Sequence, residues 1–396
     1  MKANRFILLR YPALAVVMAG LTAAVEPPVI PVGLDAYRMW ERWPYQRIGT
    51  RAYMRSTYDR SGKNERADAS HFLYQTADNF NVSLDVAGPG ILYFARYNHW
   101  HGSPWHYEVD GADHIVRETS TADPLHPTPN SVFLPETLFP NPLTWTWSQT
   151  KGADLMWVPI GFEKSFRMAY SRTFYGTGYY IYHQYVGGAR LSQPVTAGDG
   201  KTPPAKDVLD LLARSGEDIA PRPGTGGIAG EMGELTLPSS GWVPVWTGRR
   251  APSMLRLIEF SVPRDRAVAF SSARLRVTWD NRKEPSIDAP IALFFGAGIL
   301  YNRENREYLV KSFPMVIKYE PDRVVLRSYF PMPFFGSARI ELGGTGIADI
   351  PGVKWAVRYM PCKDPANQMG YFHATYRDHP SPRRGHDLVL LDTTPG

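Results

Sequence analysis

Along much of the chain, apolar residues recur at every second position for five to eight residues and then give way to Gly, Pro, Asp or Asn. WHYEVDG (Trp105–Gly111) and LRVTWDN (Leu275–Asn281) are examples, each an alternating run that ends in Asp at a tight turn. A period of two places one set of side chains on one face of an extended backbone, so these runs predict half-buried β-strands. Helical spacing is scarce. The one credible helix lies over Asp207–Arg214, with Leu209, Leu212 and Ala213 on one face.

The alternating segments come in pairs. VPIGFEKSFRM (Val158–Met168) is echoed by FPMPFFGSARIEL (Phe330–Leu342), with Pro159, Phe162, Ser165 and Arg167 meeting Pro331, Phe334, Ser337 and Arg339 at a constant offset of 172 residues. GPGILY (Gly88–Tyr93) resembles PSMLR (Pro252–Arg256) at an offset of 163, and Asp110 and Asp280 lie 170 apart. Three matches in one order predict a duplicated domain rather than a solenoid. The expected fold is all-β, with tandem jelly-roll β-sandwiches at 25–190 and 242–396. A Gly/Pro-rich linker over 191–241 carries the short helix, and its GEMGE stretch (Gly230–Glu234) is read as linker. Proline donates nothing to a ladder, so Pro159, Pro331 and Pro333 are expected at strand starts or edges, with the neighbouring aromatics plugging the sandwich ends.

Composition is consistent with this reading. Aromatics make up 13% of 396 residues, and 34 Gly and 35 Pro supply the turns. The net charge of +6 is scattered among 38 acidic residues rather than gathered into a stripe, which argues against nucleic acid as a partner. Lys2, Arg5 and Arg10 precede the apolar run YPALAVVMAGLTAA, so residues 1–24 read as a secretory signal and the protein as exported, to the periplasm or beyond. The alternative for that run is an uncleaved anchor; no later segment is apolar enough to span a bilayer. A single cysteine, Cys362, excludes a disulfide framework and a cysteine metal site.

Chemistry-bearing residues are sparse. His99 and His101 in NHWHG lack a third ligand at metal spacing, so neither metal nor cofactor is expected. STYDRSGKNERADASHF (Ser56–Phe72) gathers Tyr58, Asp59, Arg60 and Asn64 with further charges. It reads equally as a solvated polar turn or as a set of partners for sugar hydroxyls, with tyrosine as a stacking face. Glu284 and Asp288 in WDNRKEPSIDAP are about 13 Å apart on a straight strand, beyond the spacing of a glycosidase pair. His373 in YFHATYR reads either as a core histidine or as a residue facing a cleft.

STYDRSGKN, GPGILY, DLMWVPIGFEKSFRMAY with YYIYHQY, WDNRKEPSIDAPIALFFGAG, YFPMPFFGSARIEL, GYFHATYRD and GHDLVLLDTTPG together resemble, in order, the domain of unknown function 2961 family. Part of that family is classed as glycoside hydrolase family 172, and the resemblance runs from about Val32 to Gly396. It implies paired jelly rolls similar to double jelly-roll viral coat proteins, and homotrimers or larger assemblies of trimers. It also implies a carbohydrate substrate, α-fructofuranosides or D-arabinofuranosides, cleaved with retention by two glutamates and without a metal. The binding residues expected here are Tyr58, Asp59, Arg60 and Asn64, with Asp288 and His373 as outer candidates. The family's glutamates belong to a segment following LDTTPG, and Ala292 and Leu293 replace a glycine-aspartate pair, so no residue of this chain inherits a catalytic role. The expectation is a retaining furanosidase-like protein that lacks its catalytic segment, or a non-catalytic jelly-roll binding or assembly protein.

Overall fold

The computed structural model describes residues 26–63, 65, 71–98, 104–119, 128–171 and 178–391. Asn64, His99, His101 and the signal-like start therefore lie outside the described residues.

The first sandwich runs from β1 (Thr50–Ser56) through β2 (Tyr74–Gln75), β3 (Phe80–Ala87), β4 (Gly90–Tyr97), β5 (Trp105–Val109) and β6 (Ala112–Glu118). It continues with β7 (Phe133–Leu134), β8 (Thr144–Trp145), β9 (Asp154–Met156), β10 (Ile160–Phe162), β11 (Ser165–Ser171) and β12 (Gly178–Tyr185). The second begins with β13 (Ala229–Leu237), β14 (Trp242–Gly248), β15 (Ser253–Pro263), β16 (Arg274–Trp279), β17 (Ile287–Pro290) and β18 (Tyr308–Lys311). It ends with β19 (Met315–Tyr319), β20 (Arg323–Ser328), β21 (Met332–Phe334), β22 (Ala338–Gly343), β23 (Ile350–Pro361) and β24 (Ala374–Thr375).

The sheets repeat one another. One sheet of the first sandwich has the order β1-β12-β4-β9-β8 with β10 on β4, and its counterpart reads β13-β23-β15-β20-β19-β18 with β21 on β15. The opposing sheets are β2-β3-β11-β5-β6-β7 and β14-β22-β16-β17-β24. The outermost pairs differ: β7 runs antiparallel to β6, whereas β24 runs parallel to β17.

The equivalence extends to single residues. β4 carries one extra residue, Tyr93, against β12, and β15 carries Arg256 against β23, at the 163-residue offset. Asp110 and Asp280 both adopt a left-handed backbone, with φ of 50° and 51°. Asp110 accepts hydrogen bonds from the N–H groups of Glu163, Lys164 and Ser165, and Asp280 from those of Phe335, Gly336 and Ser337. Each carboxylate thus satisfies the turn joining two strands of opposite sheets, a job that fixes an aspartate at that position.

The repeated phrase is therefore scaffold. Pro159 and Pro331 immediately precede β10 and β21, Pro333 lies in β21 where that strand pairs with β15, and Phe162 and Phe334 are fully buried. The first core is aromatic, with Tyr97 stacked on Trp105 at 4.3 Å and Trp105 on Phe133 at 5.6 Å. The second is built mainly of aliphatic residues around Trp279, Phe260 and Phe334.

The linker differs from expectation. Residues 229–237, GEMGE included, form β13, followed by a turn and β14. AGEMGELTL has too few apolar positions to announce a strand; its backbone groups are satisfied by β23 along one side. The helix spans Lys206–Ala213, with Val208 buried and Leu209 and Leu212 against the first core, whereas Ala213 is exposed. No helix among the described residues is long and apolar enough to cross a membrane.

The chain start ties the sandwiches together. Arg38 donates to Asp207 of the linker helix, while Trp40 is buried against Phe313, Leu257, Val316 and Tyr329 of the second sandwich. Beyond it, Gln46 N–H donates to Gln368 and Gly370 N–H to Pro44, laying residues 43–46 alongside 368–373.

Candidate functional site

That alignment creates an aromatic groove of about 480 Å³. Trp43 and Pro44 form one wall, Phe330 and Pro331 the second, and Gly370–His373 the third. The Phe330 ring lies 5.6 Å from that of Trp43 and 5.2 Å from that of Phe372. The third wall is pinned from behind: the Phe372 carbonyl accepts the Trp279 indole N–H at 2.8 Å, and Ala374 N–H donates to Ser286. Tyr371 donates its hydroxyl to Asp280 at 2.5 Å and carries the Arg282 guanidinium over its ring at 4.2 Å. Partial burial, then Asp280 beside it, raises the Tyr371 pKa, so the hydroxyl stays protonated and continues to donate. Partial burial and the nearby Arg282 charge lower the His373 pKa, leaving a neutral imidazole that both donates and accepts.

Of the residues expected to bind, the structure brings one, His373, into this groove. Tyr58, Asp59 and Arg60 form a self-contained turn elsewhere. Asp59 accepts from the Ser61 hydroxyl and from the N–H groups of Ser61 and Glu65, which together hold its carboxyl at about 2. Arg60 donates to the Ser56 carbonyl and lies over the Tyr58 ring at 4.7 Å. The turn's polar groups mostly satisfy one another, as in the polar-turn reading of that stretch. Asp288 on β17 is clamped by Arg274 at 2.8 Å and Arg276 at 2.9 Å. Burial opposes its ionisation, but these two arginines outweigh that and keep it below the ordinary range.

Trp43, Phe330, Tyr371, Phe372 and Arg282 were not legible as a site. The one sequence cue is RWPY (Arg42–Tyr45), an aromatic-proline pair three residues after Trp40. Phe330 belongs to the repeated phrase, yet it precedes the part that the two copies share in role. Met332, Pro333 and Phe334 are buried, while Phe330 is half-buried at the groove.

Two other features involve buried ionisable groups. Asp154 on β9 is 3% exposed and accepts from the Trp147 N–H at 2.6 Å. Burial, with Glu118 adding to it, raises its pKa to about 8, so it is largely protonated at neutral pH. Arg256, 5% exposed, lies over Trp40 at 4.6 Å and borders a cavity of about 320 Å³ shared with Glu41, Tyr45 and Lys363. Its Nε has no hydrogen-bond partner among the described residues. Among the described residues no group of three or more His, Cys, Asp or Glu converges as a metal site.

In an aromatic groove of this kind, the negative ring faces meet the positive C–H edges of a flat, hydroxyl-bearing ring, and the imidazole supplies a hydrogen bond. Solved structures similar to this chain include one from Sulfolobus Turreted Icosahedral Virus, at 8% identity over 71% of this chain and 56% of that one, with a TM-score of 0.18. A triple jelly roll structure from an archaeal virus gives 8%, 71%, 55% and 0.17, and vicilin from tomato (Solanum lycopersicum) gives 8%, 82%, 85% and 0.15. The chain thus spans little more than half of each viral chain. No curated protein matches it. Residues 256–351, from the Arg256 bulge to the start of β23, match the GH172 domain-like family, so the second sandwich carries a glycoside hydrolase family 172-like region.

Proposed function

We propose that the protein is a glycoside hydrolase-like protein that binds furanoside glycans, α-fructofuranosides or D-arabinofuranosides, in the groove of Trp43, Phe330, Phe372 and His373. The observation that carries this reading is the groove itself: aromatic rings from three distant segments, one of them, Phe330, inside the family-matched region, set beside one imidazole. Its lining has the chemistry of holding a sugar. Asp280 accepts backbone N–H groups and the Tyr371 hydroxyl, and Asp288 is held by two arginines.

Calorimetric titration of the full chain with arabinofuranoside and fructofuranoside oligosaccharides tests this. Binding is expected to weaken at least tenfold, about 1.4 kcal/mol, in Trp43→Ala and Phe330→Ala. Wild-type affinity in both variants would remove the groove from the reading. Release of sugar from aryl furanosides in the same samples would establish turnover as well as binding.

A second reading, an assembly protein, is favoured by the outer strands β1 and β13. Each pairs along one side, with Met54 63% and Met232 82% exposed. Open edges of this kind invite pairing with another chain. A monomeric mass in sedimentation at micromolar concentration would end that reading.

A further inference from the structure

A second cavity, of about 380 Å³, lies on the outer face of the sheet containing β14, β22 and β16. Strand register assembles it. Thr247 on β14 and Thr278 on β16 both stand opposite Arg339 on the central β22. Their strand neighbours Trp246, Val277, Ala338 and Ile340 face the core, so the three side chains project outward together. Arg249, just after β14, and Arg282, just after β16, flank it at the end of the sheet where β22 begins.

Among the described residues, three arginines and no carboxylate line the cavity. Arg339 meets Glu341 through its Nε at 3.1 Å, whereas neither Arg249 nor Arg282 has an ion pair among the described residues. Thr278, 5% exposed, lies in the floor. Mutually repelling cations collected in one concavity, with hydroxyls between them, are the complement of an oxyanion, and the planar fork of arginine suits carboxylate and phosphate alike. Arg282 also stacks on Tyr371, which lines the aromatic groove, so one residue pair separates the two concavities.

We propose that Arg249, Arg282 and Arg339 form an oxyanion site that takes the carboxylate or phosphate substituent of an acidic glycan. That the substituent belongs to a glycan rests on the groove reading above; the oxyanion site itself does not.

The test is calorimetry on the full chain with inorganic phosphate, an oligogalacturonate, a sugar phosphate and a neutral arabinan oligosaccharide, at low and at high salt. Phosphate and at least one acidic sugar are expected to bind, more weakly at high salt, and to lose at least tenfold in Arg249→Ala/Arg282→Ala. The charge-retaining Arg249→Lys/Arg282→Lys variant is expected to recover part of the loss while its circular dichroism matches wild type. A stronger oligogalacturonate than sugar-phosphate response identifies carboxylate as the recognised group, and the reverse identifies phosphate. Neutral arabinan binding that survives Arg249→Ala but is lost in Trp43→Ala shows two adjoining sites. Phosphate binding without any neutral-sugar binding leaves the oxyanion site standing and removes the groove reading. If neither phosphate nor an acidic sugar binds wild type, or both bind the double-alanine variant equally well, the proposal is overturned.

Discussion

Asp110 and Asp280 stand at the same turn of the two sandwiches and hold equivalent sets of three backbone N–H groups, yet Asp280 also accepts the Tyr371 hydroxyl. In the first copy the carboxylate is a structural hub. In the second the same hub anchors a wall of the aromatic groove. Two further pairs diverge in the same way. The bulged Tyr93 accepts the Gly33 N–H through its hydroxyl, whereas the bulged Arg256 sits under Trp40 with its Nε unpartnered among the described residues. Asp154, paired with Tyr97 on β4, corresponds to Leu326, paired with Phe260 on β15, at the repeat's offset of 172. The two turn aspartates keep their backbone partners in both copies, while the side chains at the bulge and at the Asp154/Leu326 position have diverged.

The sharpest way to break this comparison is at the hubs. Asp280→Ala leaves three N–H groups and a phenol without their acceptor and is expected to cost about 3 kcal/mol; Asp110→Ala, lacking the phenol and more exposed, about half that. Thermal or urea unfolding measures both, and equal losses would show that Tyr371 adds nothing. Burial opposes ionisation of each carboxyl, but its hydrogen bonds win and hold both below the ordinary value of 3.8. Their contribution is therefore present above about pH 4 and is lost as pH falls through the depressed values. Asp280→Asn should flatten the stability profile below about pH 4.

Asp154 gives the opposite slope. Its folded pKa, about 8, lies above the ordinary 3.8, so its contribution is complete below the ordinary value and fades as pH rises through the folded one. Asp154→Asn keeps an oxygen for the Trp147 N–H and is expected to exceed wild type by on the order of 2 kcal/mol at pH 9, with little difference at pH 4. Unchanged pH dependence would mean that this carboxyl is already ionised when folded. The smallest effect is expected from Arg256→Met. It removes a buried cation with no carboxylate in ion-pair contact among the described residues, at the loss of its stacking on Trp40, for a net gain of about 1 kcal/mol. A loss above about 2 kcal/mol would instead assign Arg256 the task of holding the chain start onto the second sandwich.

Much of the scaffold was legible because it is local. Alternation in WHYEV and LRVTW, aspartate at the following turn and proline before β10 and β21 each act within a few residues, and two copies at a constant offset reinforce one another. β13 was not legible, since AGEMGELTL is strand only because β23 offers hydrogen bonds to its backbone. The polar STYDRSGKN stretch drew notice through composition, but a turn that satisfies its own carboxylate has the same composition as a binding loop.

By itself, then, the sequence determined the all-β class, the tandem duplication and an aspartate at the turn after each matched strand, because strand period and turn chemistry are properties of neighbouring residues. It also carried the family resemblance, through motifs in order. Only the tertiary structure decided that Trp43, Phe330 and Phe372 share one groove, that Arg249, Arg282 and Arg339 share one cavity, and that Asp288 is bound by arginines. These residues are brought together by sheet register and by the chain start crossing to the second sandwich, and contacts across such separations leave no periodic trace along the chain.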